Sequence, residues 1–281
     1  MKRSALRVLT ASLVYAGASL VLAQEPAHII RIFREDIKSG RSAAHEKVEM
    51  AYVRAFSKSK YPSYLALESV TGQNQAWFLE RYDSYAALEE AIHISEAEPL
   101  KTTLQQLDAQ DGEQRSGDRG MIAIYQKDLS YLPVAANLVK ARFVTINMVR
   151  LRPGHNADFA EMRTLVNAAF QKSASQQRRV VYSVSSGAPG GTYLILSAMD
   201  SLKAMDPGPS AMTMPAAFGA ENLARYQKLF ADIVISTENT LFAVNPRMSN
   251  APKEYITADP DFWKPKPVAA KPAPTKPSGE Q

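Results

Sequence analysis

The sequence predicts an α+β fold in which two tandem ferredoxin-like units, each of order β-α-β-β-α-β, follow one another, because short motifs occur twice in the same order. The run Leu129-Ser130-Tyr131-Leu132-Pro133 returns 119 residues later as Met248-Ser249-Asn250-Ala251-Pro252. Asp83-Ser84, which precedes an apolar helix start, returns 117 residues later as Asp200-Ser201. Matches at nearly equal separations indicate two copies of one unit of about 110 residues.

The first copy shows strand and helix patterns in this order. Runs of β-branched and aromatic residues between turn residues predict its strands, and apolar residues at helical spacing predict its helices. The stretch that contains Gly112, Gly117 and Gly120 is predicted to be a polar loop. The predicted elements are a strand at Ile29–Glu35 ending before Gly40, a helix from Ser42 to the break at Pro62, strands at Tyr64–Ser69 and Gln75–Tyr82, helical pieces from Asp83-Ser84 to Leu107 broken at Pro99, and a strand at Met121–Gln126.

The second copy repeats the pattern. Its first turn is Pro153-Gly154, whose glycine lies 114 residues after Gly40. An apolar stripe that includes Phe159 and Phe170 predicts the first helix, and a glycine-rich turn separates the two middle strands. The predicted elements are strands at Arg142–Leu151, Val180–Ser185, Thr192–Ala198 and Thr240–Val244, a helix over Phe159–Phe170, and a helix over Leu223–Ile233.

A unit of this order forms an antiparallel sheet with both helices on one face, so its other face is bare. Two copies in one chain can close these faces on each other. The pattern of strand, Pro153-Gly154, helix with Phe159, and strand running into Asp200-Ser201 resembles the dimeric α+β barrel superfamily. That superfamily includes antibiotic-biosynthesis-monooxygenase-like domains, NIPSNAP proteins and haem-binding chlorite-dismutase-like enzymes. The resemblance covers Ile29 to Pro252 and implies a monomer that folds as a pseudo-dimeric barrel.

Both ends of the chain differ in composition from the folded part. Residues 1–23 combine a basic start with a short apolar stretch, which is typical of a secretory signal peptide, so we expect a periplasmic or secreted protein. Residues 24–138 and 139–252 are the two predicted units. Residues 253–281 are predicted to be a disordered tail because proline, lysine and alanine dominate its sequence.

Cleavage after Ala23 is the first testable expectation. Mass spectrometry of the extracytoplasmic fraction should give a mature N-terminus at Gln24, because a small residue at the cleavage position follows the apolar stretch. An intact Met1 in the membrane fraction would instead indicate an anchor.

Charge and cysteine content exclude several classes of function. The formal net charge is +5, and subtracting Lys2, Arg3 and Arg7 with the signal peptide leaves +2. A net charge this small does not favour binding to the phosphates of a nucleic acid, so a nucleic-acid partner is not expected. The chain has no cysteine and therefore no disulfide or cysteine nucleophile. No membrane span is expected after signal cleavage.

Strand alternation predicts a ligand pocket between the two sheets. One set of side chains in the first strand, which includes Ile30 and Ile32, is mostly apolar and is predicted to face the helices. The other set is mixed and is predicted to face the enclosed space, where it could line a pocket or form ion pairs with its neighbours. The predicted ligand-binding residues are Arg31, Phe33, Glu35, Glu80, Tyr82, Asn147 and Ser197.

No cofactor or metal is predicted. A haem-binding relative would need a histidine on a helix that lines the pocket, and only His93 is placed to serve. The sequence has no His-x-x-x-His pair and no evident carboxylate cluster at metal spacing. The methionine-rich segment Met205–Pro215 could bind Cu(I), cover the cavity, or simply fill gaps under a loop.

These observations predict an exported protein that binds a small, partly apolar molecule without demonstrable catalysis. The resemblance supplies the alternative of a cofactor-free monooxygenase-like or haem-dependent enzyme. A structural envelope protein with a packed barrel is a third class. Ligand, catalysis and oligomeric state stay open at the level of sequence.

Overall fold

The structure is a computed structural model and describes residues 25–132, 138–206 and 212–264. The predicted signal peptide and the last part of the predicted tail lie outside these residues. The first half of the chain contains β1 (Ile29–Ile37), α1 (Ser42–Phe56), β2 (Tyr64–Ser69), β3 (Gln75–Tyr82), α2 (Tyr85–Glu96), α3 (Leu100–Gly112) and β4 (Arg115–Tyr125). The second half contains β5 (Phe143–Leu151), α4 (Asn156–Lys172), β6 (Val180–Ser186), β7 (Thr192–Met199), α5 (Met214–Phe218), α6 (Ala220–Ile233) and β8 (Val234–Asn250), followed by α7 (Lys253–Ala258) and α8 (Pro260–Trp263).

The local signals explain most of these elements. Gly40 and Gly154 both have positive φ, 76° and 88°, so each turn uses the conformation that glycine adopts without strain. Ser84 caps α2 by accepting a hydrogen bond from the Ala87 N–H, and Ser201 similarly accepts from the Lys203 N–H. The predicted strands β2 and β3 are confirmed with the same bounds.

All eight strands form one closed antiparallel barrel, which confirms the α+β class. Their order around the barrel is β1-β3-β2-β8-β5-β7-β6-β4. The two halves meet at two seams, where β2 pairs with β8 and β4 pairs with β6. Closure leaves no free sheet edge among these strands, so their backbone groups are paired around the whole circumference.

A serine hydroxyl bridges each seam. The Ser130 hydroxyl accepts a hydrogen bond of 3.0 Å from the Val181 N–H in β6, and the Ser249 hydroxyl accepts one of 2.9 Å from the Ala66 N–H in β2. Both serines are buried. The repeated motif therefore carries the same contact at both seams.

The barrel interior is packed with apolar side chains from both halves. Ile32, Trp77, Ile146, Leu194 and Phe242 are all 0–1% exposed and belong to one cluster. The Trp77 and Phe242 rings lie 5.0 Å apart across this interior. Separate apolar clusters lie on the outside of the barrel, one under α1 and α2 and one under α4 and α6.

The predicted assignment of the two strand faces is wrong. The apolar set with Ile30 and Ile32 faces the barrel interior, whereas Ile29 and Tyr82, of the opposite parity, pack in the cluster under the helices. A closed barrel removes its interior from water on all sides, so the interior takes the more apolar set. The helices cover the outer face only partly, and polar side chains are tolerated there.

The boundary between α3 and β4 differs from the prediction. Gly117 and Gly120 lie within β4, and Gly112 ends α3, so the predicted polar loop is absent. Local propensity for a loop is overridden by pairing with β1, in which Gly117 lies opposite Asp36 and Gly120 lies opposite Phe33. The β6–β7 turn packs closely on this part of β4, and a Cβ on Gly187 would lie 2.0 Å from the Gly120 carbonyl oxygen.

The first part of the predicted tail is folded. Residues 253–263 form α7 and α8, and Tyr255 and Trp263 are 5% and 4% exposed within the barrel's apolar cluster. The Trp263 indole N–H donates to the Val139 carbonyl at 2.9 Å. Arg142 forms a salt bridge to Asp259. These two helices therefore pack across one end of the barrel. Within the described residues, no helix is long and apolar enough to cross a bilayer.

Candidate functional sites

The structure does not place the seven predicted ligand-binding residues between the two sheets. All seven have the parity of the outer, helix-bearing face. The predicted location is therefore wrong, for the reason given above. Ligand binding by these residues stays a prediction, and their surroundings differ. Phe33 is 39% exposed, Asn147 has a buried Oδ1 without a hydrogen-bond partner, and Ser197 borders the larger of two cavities described below.

Arg31, Glu80 and Tyr82 belong to one buried polar network that also contains Tyr61. Arg31 Nε donates to Glu80 Oε2 at 2.5 Å, and Arg31 Nη2 donates to the Tyr61 hydroxyl at 2.7 Å. The Tyr61 and Tyr82 hydroxyls donate to the two oxygens of Glu80 at 2.5 and 2.8 Å. Glu80 is 3% exposed. The partners saturate this carboxylate, so the network fits a structural role.

The pKa values of Arg31, Tyr61 and Tyr82 are all raised in this network. Burial lowers the pKa of Arg31, but the hydrogen bond and charge of Glu80 raise it by more, so it lies above its usual range. Burial and the Glu80 carboxylate both raise the pKa of Tyr61 and of Tyr82. The network therefore keeps Arg31 charged and both phenols neutral across the neutral pH range.

A groove of about 860 Å³ lies beside the second half of the barrel. It is bounded by the C-terminal end of α4, the residues just before β6, the end of β7, and the described ends of the methionine-rich segment, whose residues 207–211 lie outside the described structure. The side chains that matter below are Phe170, Arg179, Ser197, Met199, Met205 and Met214. Asp200, Asp206 and Lys140 are exposed residues that also border it.

Two interacting arginines, Arg179 in the lining of this groove and Arg163 on α4, lack a carboxylate partner among the described residues. Arg179 lies 4.6 Å from the centre of the Phe170 ring and donates to the Gln177 side chain, while its Nε is buried without a partner. Arg163, on α4, is 4% exposed and donates to the Leu129 carbonyl and the Asn167 side chain.

The protein interior disfavours these two positive charges. Burial and the charge of Arg179 lower the pKa of Arg163 to about 10, and burial lowers the pKa of Arg179. Both shifts mean that the charged form of each group is less stable here than in water. An anion in the groove would compensate for that cost.

A smaller cavity of about 150 Å³ lies at the end of the barrel beside α7. Leu65, Leu79, Arg81 and Tyr255 line it, and Arg81 donates to the Tyr255 hydroxyl at 3.2 Å. Its size suits a few water molecules. We assign no ligand to it.

The structure also brings together four buried side chains that the sequence analysis did not connect. Glu35 comes from β1, His45 and Glu49 lie one turn apart on α1, and Asp111 lies in the last turn of α3. Their ligand atoms all lie within 4.8 Å of one another. The expectation that no carboxylate cluster at metal spacing exists is therefore wrong for the described residues.

The electrostatics of this cluster are unusual for a buried site. Burial, followed by the charges of Glu35 and Asp111, raises the pKa of Glu49 well above its usual range. Burial and the charge of Glu35 raise the pKa of Asp111 to about 6. Arg115 offsets part of this negative charge through salt bridges of 3.1 Å to both Glu35 and Asp111.

A helical pair, His45-x-x-x-Glu49, was the sequence signal that could have pointed to this cluster. Two histidines at this spacing are the familiar metal-binding pattern, whereas a histidine and a carboxylate are not. Asp111 could not be connected because it fell within the predicted loop. Of the other histidines, His93 is exposed on α2, outside the lining of both cavities, which does not suit a haem ligand.

Comparison with known proteins identifies the fold. No family model matches the chain, and no curated protein matches it. A structure from Fusobacterium nucleatum, named as a "putative monooxygenase", superposes with a TM-score of 0.51 at 11% identity, covering 78% of this chain and 93% of that one. An anthrone oxidase-like protein superposes with a TM-score of 0.53 at 14% identity, and the match covers 80% of this chain and 93% of that one. Chlorite dismutase from Candidatus Nitrospira defluvii superposes with a TM-score of 0.43 at 9% identity, and the match covers 83% of this chain and 95% of that one.

The two higher scores show that the chain shares the eight-stranded α+β barrel fold of these proteins. At sequence identities of 11% and 14%, the similarity supports a shared fold but not a shared activity. What the chain binds has to be argued from its own side chains.

Proposed function

We propose that this protein binds a small, partly apolar anion in the groove beside the second half of the barrel. The observation that supports this most directly is the pair Arg163 and Arg179, two substantially buried guanidinium groups without a carboxylate partner in the described part of the chain. Buried charges are normally paired or bound to a ligand. The names of the two neighbours with higher scores also describe small-molecule chemistry on this fold, as an analogy only.

The groove offers separate surfaces for the two parts of such a molecule. Arg179 supplies an unpartnered Nε–H that can donate to a carboxylate or sulfonate, and Arg163 adds positive charge behind it. Phe170 and the methionine side chains supply a polarizable, adaptable apolar wall. Ser197 already donates to the Arg178 carbonyl at 2.5 Å, so its hydroxyl can only accept from the ligand.

Matched probes test this proposal. We expect isothermal titration calorimetry to show that the wild type binds decanoate more tightly than decanol, because the two molecules share a chain length and differ in charge. Arg179→Gln should weaken decanoate binding by about 10- to 100-fold, the loss of one charge-assisted hydrogen bond. Decanol binding should change little.

Two controls separate binding from folding. Arg225→Gln alters an exposed arginine of the same half that pairs with Glu161, and decanoate affinity should not change. Arg31→Ala should lower the melting temperature without lowering decanoate affinity, because its partners are Glu80 and two tyrosines. Equal affinity of the wild type for decanoate and decanol would contradict the proposal, as would an Arg179→Gln variant that retains full decanoate affinity.

We further infer that the chain is a fused pair of ferredoxin-like units that acts as its own dimer partner. The support is the matched serines at the two seams and the matched glycine turns. Export to the periplasm or medium is proposed from residues 1–23 alone. In this proposal, the groove meets its ligand outside the cytoplasm.

A further inference from the structure

We propose that Glu35, His45, Glu49 and Asp111 bind one divalent transition-metal ion. His45 Nε2 lies 2.8 Å from Glu35 Oε2, 3.7 Å from Asp111 Oδ1 and 4.0 Å from Glu49 Oε1. Ligand bonds of about 2.0 to 2.2 Å require donor atoms roughly 3 to 4 Å apart, so small side-chain rotations would complete the site. The site is independent of the groove, on the other half of the chain.

An unpartnered buried atom points to a missing ligand. Asp111 is 1% exposed, and its Oδ1 has no hydrogen-bond partner although it faces the imidazole of His45. A buried carboxylate oxygen without a donor is costly, because it has lost its water and gained nothing in exchange. A cation placed among the four side chains would satisfy this atom.

Arg115 is arranged to orient two of the ligands through their outer oxygens. It contacts Glu35 through Oε1 and Asp111 through Oδ2, each at 3.1 Å. The other oxygens, Glu35 Oε2 and Asp111 Oδ1, face His45. Arg115 is thus a positioning residue, comparable to the outer partners that orient the ligands of metal sites.

Charge and donor type define the class of metal. Three carboxylates and one arginine give the ionised cluster a net charge of −2 when His45 is neutral, which one divalent cation balances. Carboxylate oxygens alone would suit Mg²⁺ or Ca²⁺, whereas an imidazole nitrogen favours Mn²⁺, Fe²⁺ or Zn²⁺. We therefore expect transition metals to bind more tightly than the alkaline-earth ions.

The test uses the whole chain, freed of metal with a chelator. Titration with Mn²⁺ and with Zn²⁺ should show one equivalent bound, followed by calorimetry and, for Mn²⁺, by electron paramagnetic resonance. Either ion should raise the melting temperature of the wild type, because it binds the folded site. Ca²⁺ and Mg²⁺ should bind at least about 10-fold more weakly.

Isosteric variants keep the result interpretable. Glu49→Gln and Asp111→Asn should each weaken Mn²⁺ binding by roughly 100-fold, and Arg115→Gln by about 10- to 100-fold. Glutamine keeps the shape of Glu49 and replaces a carboxyl group whose charged form is disfavoured by burial, so the metal-free Glu49→Gln variant should melt no lower than the wild type. Glu46→Gln is the matched control on the same helix: Glu46 pairs with Arg247 outside the cluster, and its loss should leave metal binding unchanged.

Several outcomes would overturn the proposal. Absence of stoichiometric binding by the wild type, or an unchanged melting temperature with either metal, would show that the cluster is held by protons and Arg115 alone. Unchanged Mn²⁺ affinity in both Glu49→Gln and Asp111→Asn would place any bound ion elsewhere. Equal affinity for Ca²⁺ and Mn²⁺ would refute the assignment to transition metals.

Discussion

Replacing Glu80 by glutamine should lower the free energy of unfolding by about 3 to 5 kcal/mol, the usual cost of breaking a buried ion pair by removing one partner. Glu80 is 3% exposed and is the only carboxylate that the described contacts place on Arg31. The glutamine would leave the guanidinium without its counter-charge. It would also replace one carboxylate oxygen, which accepts from a tyrosine, with an NH₂ group that cannot accept.

Chemical denaturation of the purified variants measures this effect. The matched control is Glu161→Gln, which breaks a bidentate pair with Arg225 whose two side chains are 43% and 46% exposed. That change should cost much less than the change at Glu80, because water already solvates both groups. A loss at Glu80 as small as the loss at Glu161 would show that the network does not support the fold.

The same measurement can separate charge from packing. If Arg31 and Glu80 are both replaced by methionine, the stability should recover most of the loss seen in Glu80→Gln, because no unpaired charge then stays buried. Failure to recover would mean that the two tyrosine hydroxyls, rather than the ion pair, set the cost. Either way, Arg31 acts on stability and not on the groove in the other half of the chain.

The sequence was sufficient to predict the order of the elements in both halves. β2 and β3 were predicted with their observed bounds because aromatic and β-branched residues run up to clear turn residues on both sides. The two serines of the repeated motif, Ser130 and Ser249, also accept matching hydrogen bonds at the two seams. These signals depend only on neighbouring residues in the sequence, so they predict a strand whichever surface that strand packs against.

The orientation of each strand face could not be predicted in the same way. Alternation shows that Ile32 and Arg31 point to opposite sides, but it does not show which side closes on the other half. The choice depends on barrel closure, which makes the interior the driest place in the molecule. Polar residues such as Arg31 and Glu80 then lie at the less completely covered helix layer, where they pair with each other.

The carboxylate and histidine cluster was missed because it depends on contacts between distant segments. Asp111 is 76 residues from Glu35 and reaches it only because α3 continues to Gly112 instead of ending at Leu107 as predicted. The two arginines were missed because Arg163 lies on α4 and Arg179 lies just before β6, so only the fold brings their charges together. Neither residue forms a recognisable motif in the sequence.

Trp263→Ala should also lower the free energy of unfolding by about 3 to 5 kcal/mol, because it empties a large buried site at the end of the barrel. The indole is 4% exposed, belongs to the same apolar cluster as the barrel interior, and donates to the Val139 carbonyl at 2.9 Å. Its ring centre lies 5.5 Å from that of Tyr255 and 5.0 Å from that of Phe262. Removing the ring would leave the carbonyl without its donor and expose part of the interior.

Two truncations provide the matched pair for this effect. A chain that ends at Pro252 lacks α7 and α8 and should be destabilised at least as much as Trp263→Ala, because Tyr255 is lost as well. A chain that ends at Lys264 loses only residues 265–281, whose proline- and lysine-rich composition offers little apolar surface to bury, so its denaturation midpoint should match that of the full chain. If both truncations melt like the full chain, the two helices do not hold the barrel end closed, and the sequence-based tail boundary after Pro252 would be the better description.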